Sequence, residues 1–107
     1  MSRNRHLFVA ASAAMFFAWP WPAAADLESA LSAYRGGDYA AAFRELKPLA
    51  DAGDVAAVNT LGVMYAHGRG VPKDPATAVR LYRIAADAGS ADAQFNLATM
   101  YSSGTGV

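Results

Sequence analysis

Residues 42–71 read AFRELKPLADAGDVAAVNTLGVMYAHGRGV, and residues 78–107 read AVRLYRIAADAGSADAQFNLATMYSSGTGV. Laid over each other at an offset of 36, the two stretches share 13 of 30 positions. The alanine matches carry little weight in a chain with 26 alanines among 107 residues. The Asp-Ala-Gly, Met-Tyr and Gly-x-Gly-Val blocks carry more, because turn chemistry and paired large side chains recur at the same places. Self-similarity at a fixed period of roughly 20–50 residues marks a solenoid, in which each unit buries its apolar face on its neighbours.

Inside the period the pattern is helical. Leu27, Ala30, Leu31 and Tyr34 follow the i, i+3, i+4, i+7 spacing of one helix face. Gly36-Gly37 closes that segment, and Asp38 caps the next, where Tyr39, Ala42, Leu46, Leu49 and Ala50 share a face. Pro48 inside it is expected to kink the helix or split its last turn. Gly53 suits a left-handed C′ position. Asp54 caps a helix carrying Val58, Leu61 and Tyr65. A loop at Gly68–Lys73 leads to Asp74-Pro75, an N-cap and N1 pair. Ala78, Leu81, Tyr82 and Ala85 line the helix that follows, and Ser90 opens the last one, with Ala93, Leu97, Met100 and Tyr101. No alternating run is long enough for a strand. The fold class is therefore all-α.

Composition narrows function. Nine basic and nine acidic residues give a net charge of 0, which argues against nucleic-acid binding. With no cysteine there is no disulfide, thiolate zinc site or thiol nucleophile. The two histidines, His6 and His67, are too few for a His-rich metal site.

The N-terminus reads as an export signal. Arg3 and Arg5 precede an uncharged apolar run of 13 residues, Leu7–Trp19, then Pro20 and Pro22, then Ala23-Ala24-Ala25 before Asp26. A membrane-spanning helix needs about 20 apolar residues, so stable insertion after cleavage is not expected. Without a twin-arginine pair the general secretory route is expected, and the destination is periplasmic or secreted. The expected layout is a signal peptide at 1–25, a helix pair at 26–53, a full repeat at 54–89, and a first helix and loop at 90–107. Val107 is the counterpart of Val71, which a second helix follows. The last repeat is thus read as incomplete. Phe95, Leu97, Met100 and Tyr101 are expected to be partly uncovered, with self-association through that open end.

The ordered set Ala57, Leu61-Gly62, Tyr65, Gly68-x-Gly70-Val71, Asp74, Ala78, Tyr82, Ala85-Ala86, Gly89 and Ala93 resembles the Sel1-like repeat, a relative of the tetratricopeptide repeat. The likeness covers residues 38–107 well and 26–37 loosely, where Gly36-Gly37-Asp38-Tyr39 looks like the shorter tetratricopeptide turn. Leu81 stands where the family often has Trp, and Ala98 stands at the place of Gly62. The resemblance implies a right-handed α-solenoid of antiparallel helix pairs that serves as a protein-binding scaffold. For secreted bacterial members it implies envelope regulation, exopolysaccharide secretion or host contact.

Candidate chemistry is sparse. Gly-x-Gly occurs twice, but a dinucleotide fingerprint needs a strand before it and a helix directly after it. His67 has no nucleophile or second histidine beside it in sequence, and suits the C-terminal end of a helix dipole. Asp51 and Asp87 occupy equivalent places one repeat apart, and are read as solvated or bonded between repeats rather than as an acid/base pair. A β-lactamase activity, described for some relatives, would need Ser-x-x-Lys, and no serine after residue 25 has lysine at the third position. The residues suggest no catalytic group, metal or cofactor. Asn59 and Val63 on one first helix, with Phe95 and Thr99 at their equivalents on the next, form the candidate protein-binding stripe for a protein or peptide partner. The rival readings are a secreted hydrolase and a structural fragment with no partner of its own.

Expressed in a bacterium, the chain is expected to lose residues 1–25 and accumulate outside the cytoplasm. N-terminal sequencing should read Asp26-Leu27-Glu28. Recovery of Met1 in the membrane fraction would overturn the export reading.

Overall fold

The computed structural model describes residues 23–107, with side chains from Asp26 onward. The signal read at 1–25 therefore lies outside the described residues, except for the backbone of three alanines. Five helices follow one another: α1 (Ala23–Arg35), α2 (Tyr39–Asp51), α3 (Val55–His67), α4 (Pro75–Asp87) and α5 (Ala91–Ser103). No strand occurs among the described residues. Each helix packs on the next in order, α1 on α2, α2 on α3, α3 on α4 and α4 on α5. This is an all-α solenoid.

The ends of the helices follow from local chemistry. Asp38, Asp54, Asp74 and Ser90 each accept a hydrogen bond from the backbone N–H three residues on, at 3.0–3.2 Å. Each satisfies a donor that has no intrahelical partner, a contribution of about 1 kcal/mol per cap. The Thr77 hydroxyl, with the Thr77 N–H second, holds the Asp74 carboxyl below its ordinary pKa. Helix α2 runs through Pro48 without the split that the sequence allowed as one of two outcomes. In the last turn proline removes one backbone bond, and the Ala52 N–H still reaches the Pro48 carbonyl at 3.0 Å.

Two kinds of contact close the core. Within and between pairs, helices approach over small residues: Ala30, Ala42, Ala57, Ala78, Ala85 and Ala93 are fully buried. Leu46 and Met64 fill the space between them, each contributing about 1.5–3 kcal/mol by leaving water. Between repeats, the loops take a seat on the helix before. Gly70 has φ +76°, and a Cβ there would lie 2.8 Å from the Tyr39 carbonyl oxygen at the start of α2. Its equivalent, Gly106, meets the Pro75 carbonyl oxygen at 2.6 Å, at the start of α4. Both seats are backbone against backbone, so neither side has a flexible end that could move away.

Gly70→Ala should therefore cost more than Gly53→Ala. Gly53 also has positive φ, but a methyl group there would meet nothing within 4 Å, so only the left-handed strain of about 1–2 kcal/mol applies. Gly70→Ala adds overpacking of about 1–3 kcal/mol to that strain. Urea unfolding of the two variants checks the order, and equal losses would refute the seat.

Candidate functional site

The first helices α1, α3 and α5 lie on one side of the chain of pairs, and the second helices α2 and α4 on the other. Asn59 of α3 accepts a hydrogen bond from Asn96 Nδ2 of α5 at 3.2 Å, which ties successive first helices together. The four stripe residues sit on this side, but in different settings. Asn59 is half-buried and occupied by Asn96. Val63 is half-buried against the core formed by Ala78, Val79, Tyr82 and Met100. Phe95 is 71% exposed. Thr99 is exposed, and its hydroxyl donates to the Phe95 carbonyl oxygen at 3.0 Å. Asn59, with a neighbour on both sides, stays half-exposed, so this position is not a core position of the repeat.

The exposure along α5 differs in part from expectation. Phe95 and Tyr101 are exposed, Tyr101 to 47%. Met100, expected to be partly uncovered, is only 9% exposed, because it turns back onto α4 and joins Ala78, Val79 and Tyr82. Arg83 of α4 donates to the Tyr101 hydroxyl and holds that ring at the edge.

A second junction was not foreseen from sequence. Arg69, in the loop after α3, donates to the Tyr34 hydroxyl of α1 at 2.7 Å and lies 5.8 Å from the centre of the Tyr39 ring. The Tyr34 and Tyr39 rings themselves pack at a tilt, with centres 5.3 Å apart. The Tyr34 hydroxyl bond raises the Arg69 guanidinium further above its ordinary pKa. Sequence alone gives no register between residues 34 and 69, so only the unusual Gly-Arg-Gly could have drawn attention. A groove of about 250 Å³ on the second-helix side, floored by Val58, Leu61 and Leu81, was likewise unforeseen. Asp51 at its rim takes both bonds from Lys47 in its own helix at 2.9 Å, not a bond between repeats.

Among the described residues no charged side chain is buried, and no three His, Asp or Glu side chains converge. His67 is exposed, with Nδ1 3.0 Å from its own helix's Val63 carbonyl oxygen. No described helix is long and apolar enough to cross a membrane.

The family model of the Sel1 repeat matches residues 55–90 and 91–107. A Sel1 repeat protein from Oxalobacter formigenes is similar at 34% identity, with a TM-score of 0.72, over 77% of this chain and 33% of that one. A protective antigen present in uropathogenic Escherichia coli strains, which displays an SLR fold, is similar at 38% identity and a TM-score of 0.75. There the match spans 80% of this chain and 19% of the other. No curated protein matches the chain. The chain belongs to the Sel1 repeat family. Repeats of this class are non-catalytic scaffolds that generally mediate protein–protein interaction.

Tyr82 underlies the stripe, packing beneath Val63 at 2% exposure. Burial, with a smaller contribution from Tyr34, pushes its phenol up to about 12. A raised phenol pKa means that the fold favours the protonated ring. The stability this contributes is complete below about pH 10, the ordinary tyrosine value, and is lost as pH rises through about 12. Tyr82→Phe should flatten that alkaline loss in circular-dichroism titrations, and an unchanged alkaline limb would refute it.

Proposed function

We propose that the chain is an exported scaffold that holds a protein or peptide partner along its first-helix side, with Phe95 as the anchor and Asn59, Val63 and Thr99 around it. The observation supporting this reading is the 71% exposure of a phenylalanine at a position that stays half-open even between two neighbouring repeats. Exposed aromatics of this kind carry a large share of the energy in protein recognition. The export reading rests on the charged start, apolar run and small-residue site within residues 1–25. With export the partner belongs to the cell envelope or lies outside it, and a role in envelope regulation or assembly follows.

Phe95→Ala should weaken capture of an envelope partner by about 1–3 kcal/mol while leaving the helical circular-dichroism signal intact. Arg83→Ala, on a second helix, should leave capture unchanged. A folded Phe95→Ala chain that captures its partner at full strength would move the surface elsewhere, with the loop Gly68–Lys73 next in line.

A further inference from the structure

The junction of α1 with the loop after α3 collects hydrogen-bond donors without matching acceptors. Arg69 gives one N–H to the Tyr34 hydroxyl at 2.7 Å and lies 5.8 Å from the centre of the Tyr39 ring. Among the described residues no carboxylate pairs with its remaining N–H groups, whereas Arg35 pairs with Glu28 and Lys47 with Asp51. Tyr34 and Tyr39 are the neighbours that act on the Arg69 charge, while Arg83 has Asp87 near it. The Tyr34 oxygen accepts from Arg69, so its own O–H is left to donate. Tyr82 adds a second phenol. Its ring is 2% exposed and crosses Gly62 of α3, where a Cβ would come within 2.6 Å of it. Its hydroxyl has no protein partner among the described residues, yet it is not sealed from water. Tyr34 stands close enough to act on that phenol.

Packing alone does not account for these groups. The next junction has Thr105 for Arg69 and Pro75 for Tyr39, yet Gly106 takes the same seat there as Gly70 does here. The seat therefore forms without guanidinium or ring. The residue before the last is Tyr34 in α1 and Ala66 in α3. Ala66 continues the row of Asn59 and Val63, so Tyr34 stands on the corresponding row of α1.

We propose that Arg69, Tyr34 and Tyr82 form a subsite on the first-helix side that takes a carboxylate of the partner polypeptide. The partner rests on the scaffold reading above, but the subsite does not rest on Phe95. The guanidinium fork matches the two oxygens of a carboxylate, and charge-assisted bonds are stronger than neutral ones. The two phenols add donors without adding charge. The one cation held in place here balances a carboxylate, but leaves a phosphate group, at about −1.5 to −2, in excess.

The isotope-labelled full chain is titrated with sodium acetate, with sodium chloride holding the ionic strength constant, and followed by nuclear magnetic resonance. The Arg69 Nε–H resonance should shift and saturate. Arg83, held by the Tyr101 hydroxyl but beside Asp87, is the internal control and should not saturate. Tyr34→Phe and Tyr82→Phe keep the rings and lose the hydroxyls. Each should weaken acetate binding at least about threefold, because each removes a hydrogen bond to a charged group. A capped Ala-Glu-Ala peptide and an Ala-Ala-Ala peptide with a free C-terminus then tell a side-chain carboxylate from a terminal one. Phe95→Ala should leave acetate binding unchanged, so this subsite and the Phe95 anchor fail separately. An Arg69 shift no larger than that of Arg83 overturns the proposal without any variant. So does full-strength binding in a folded chain that lacks both hydroxyls. Inorganic phosphate bound more tightly than acetate would assign the donors to phosphate and also overturn it.

Discussion

The structure depends on the backbone seat between a loop glycine and the first turn of the preceding second helix. Gly70 against Tyr39 and Gly106 against Pro75 are one contact used twice. Each fixes the position of a loop relative to the pair before it, and the first so fixes where α4 begins. The capping bond of Asp74 then starts α4 at the place the loop delivers it. At the junction of the short first pair and the longer second repeat, the seat has an additional clamp, with Arg69 holding Tyr34 and facing Tyr39. At the next junction Thr105 replaces Arg69 and Pro75 replaces Tyr39, so neither the guanidinium nor the ring is present. The Thr105 hydroxyl instead lies 2.7 Å from that of Ser103 in its own turn. The clamp thus belongs to the junction where loop length changes from three residues to seven.

What was legible in the sequence is what local chemistry decides. The four caps, the left-handed glycines and the apolar faces all depend on residues within a turn of one another, and each stands where the pattern puts it. At Pro48 the foreseen split does not occur, because the helix continues through Asp51 and the Ala52 N–H still bonds to the Pro48 carbonyl. Met100 misleads for another reason. Periodicity shows that a helix has an apolar face, but it does not say whether the helix behind or the helix ahead covers a given part of it. Met100 points back to Tyr82, whereas Ala98 and Tyr101 remain uncovered. The Asn59–Asn96 bond and the Arg69–Tyr34 bond join residues 37 and 35 apart, and such pairings follow only from the stacking register.

The two aligned stretches separate packing from recognition. Most of their shared residues are either buried, as Ala42/Ala78 and Ala57/Ala93 are, or part of a turn, as Asp51-Ala52-Gly53 and Gly68-x-Gly70 are. Arg44/Arg80 is an exception, and Arg80, at the surface, donates to the Thr77 hydroxyl. On the first-helix side the repeats diverge: Asn59 becomes Phe95, Val63 becomes Thr99 and Ala66 becomes Ser102. The core tolerates little change, because a methyl group at Gly62 would already meet the Tyr82 ring. On the first-helix side the restraint is looser: Phe95 and Thr99 are exposed and Asn59 is half-exposed, while Val63 packs on the Tyr82 core. One array therefore presents an amide, an aromatic ring and a hydroxyl on a common frame. The order of these groups along the array gives that side a direction.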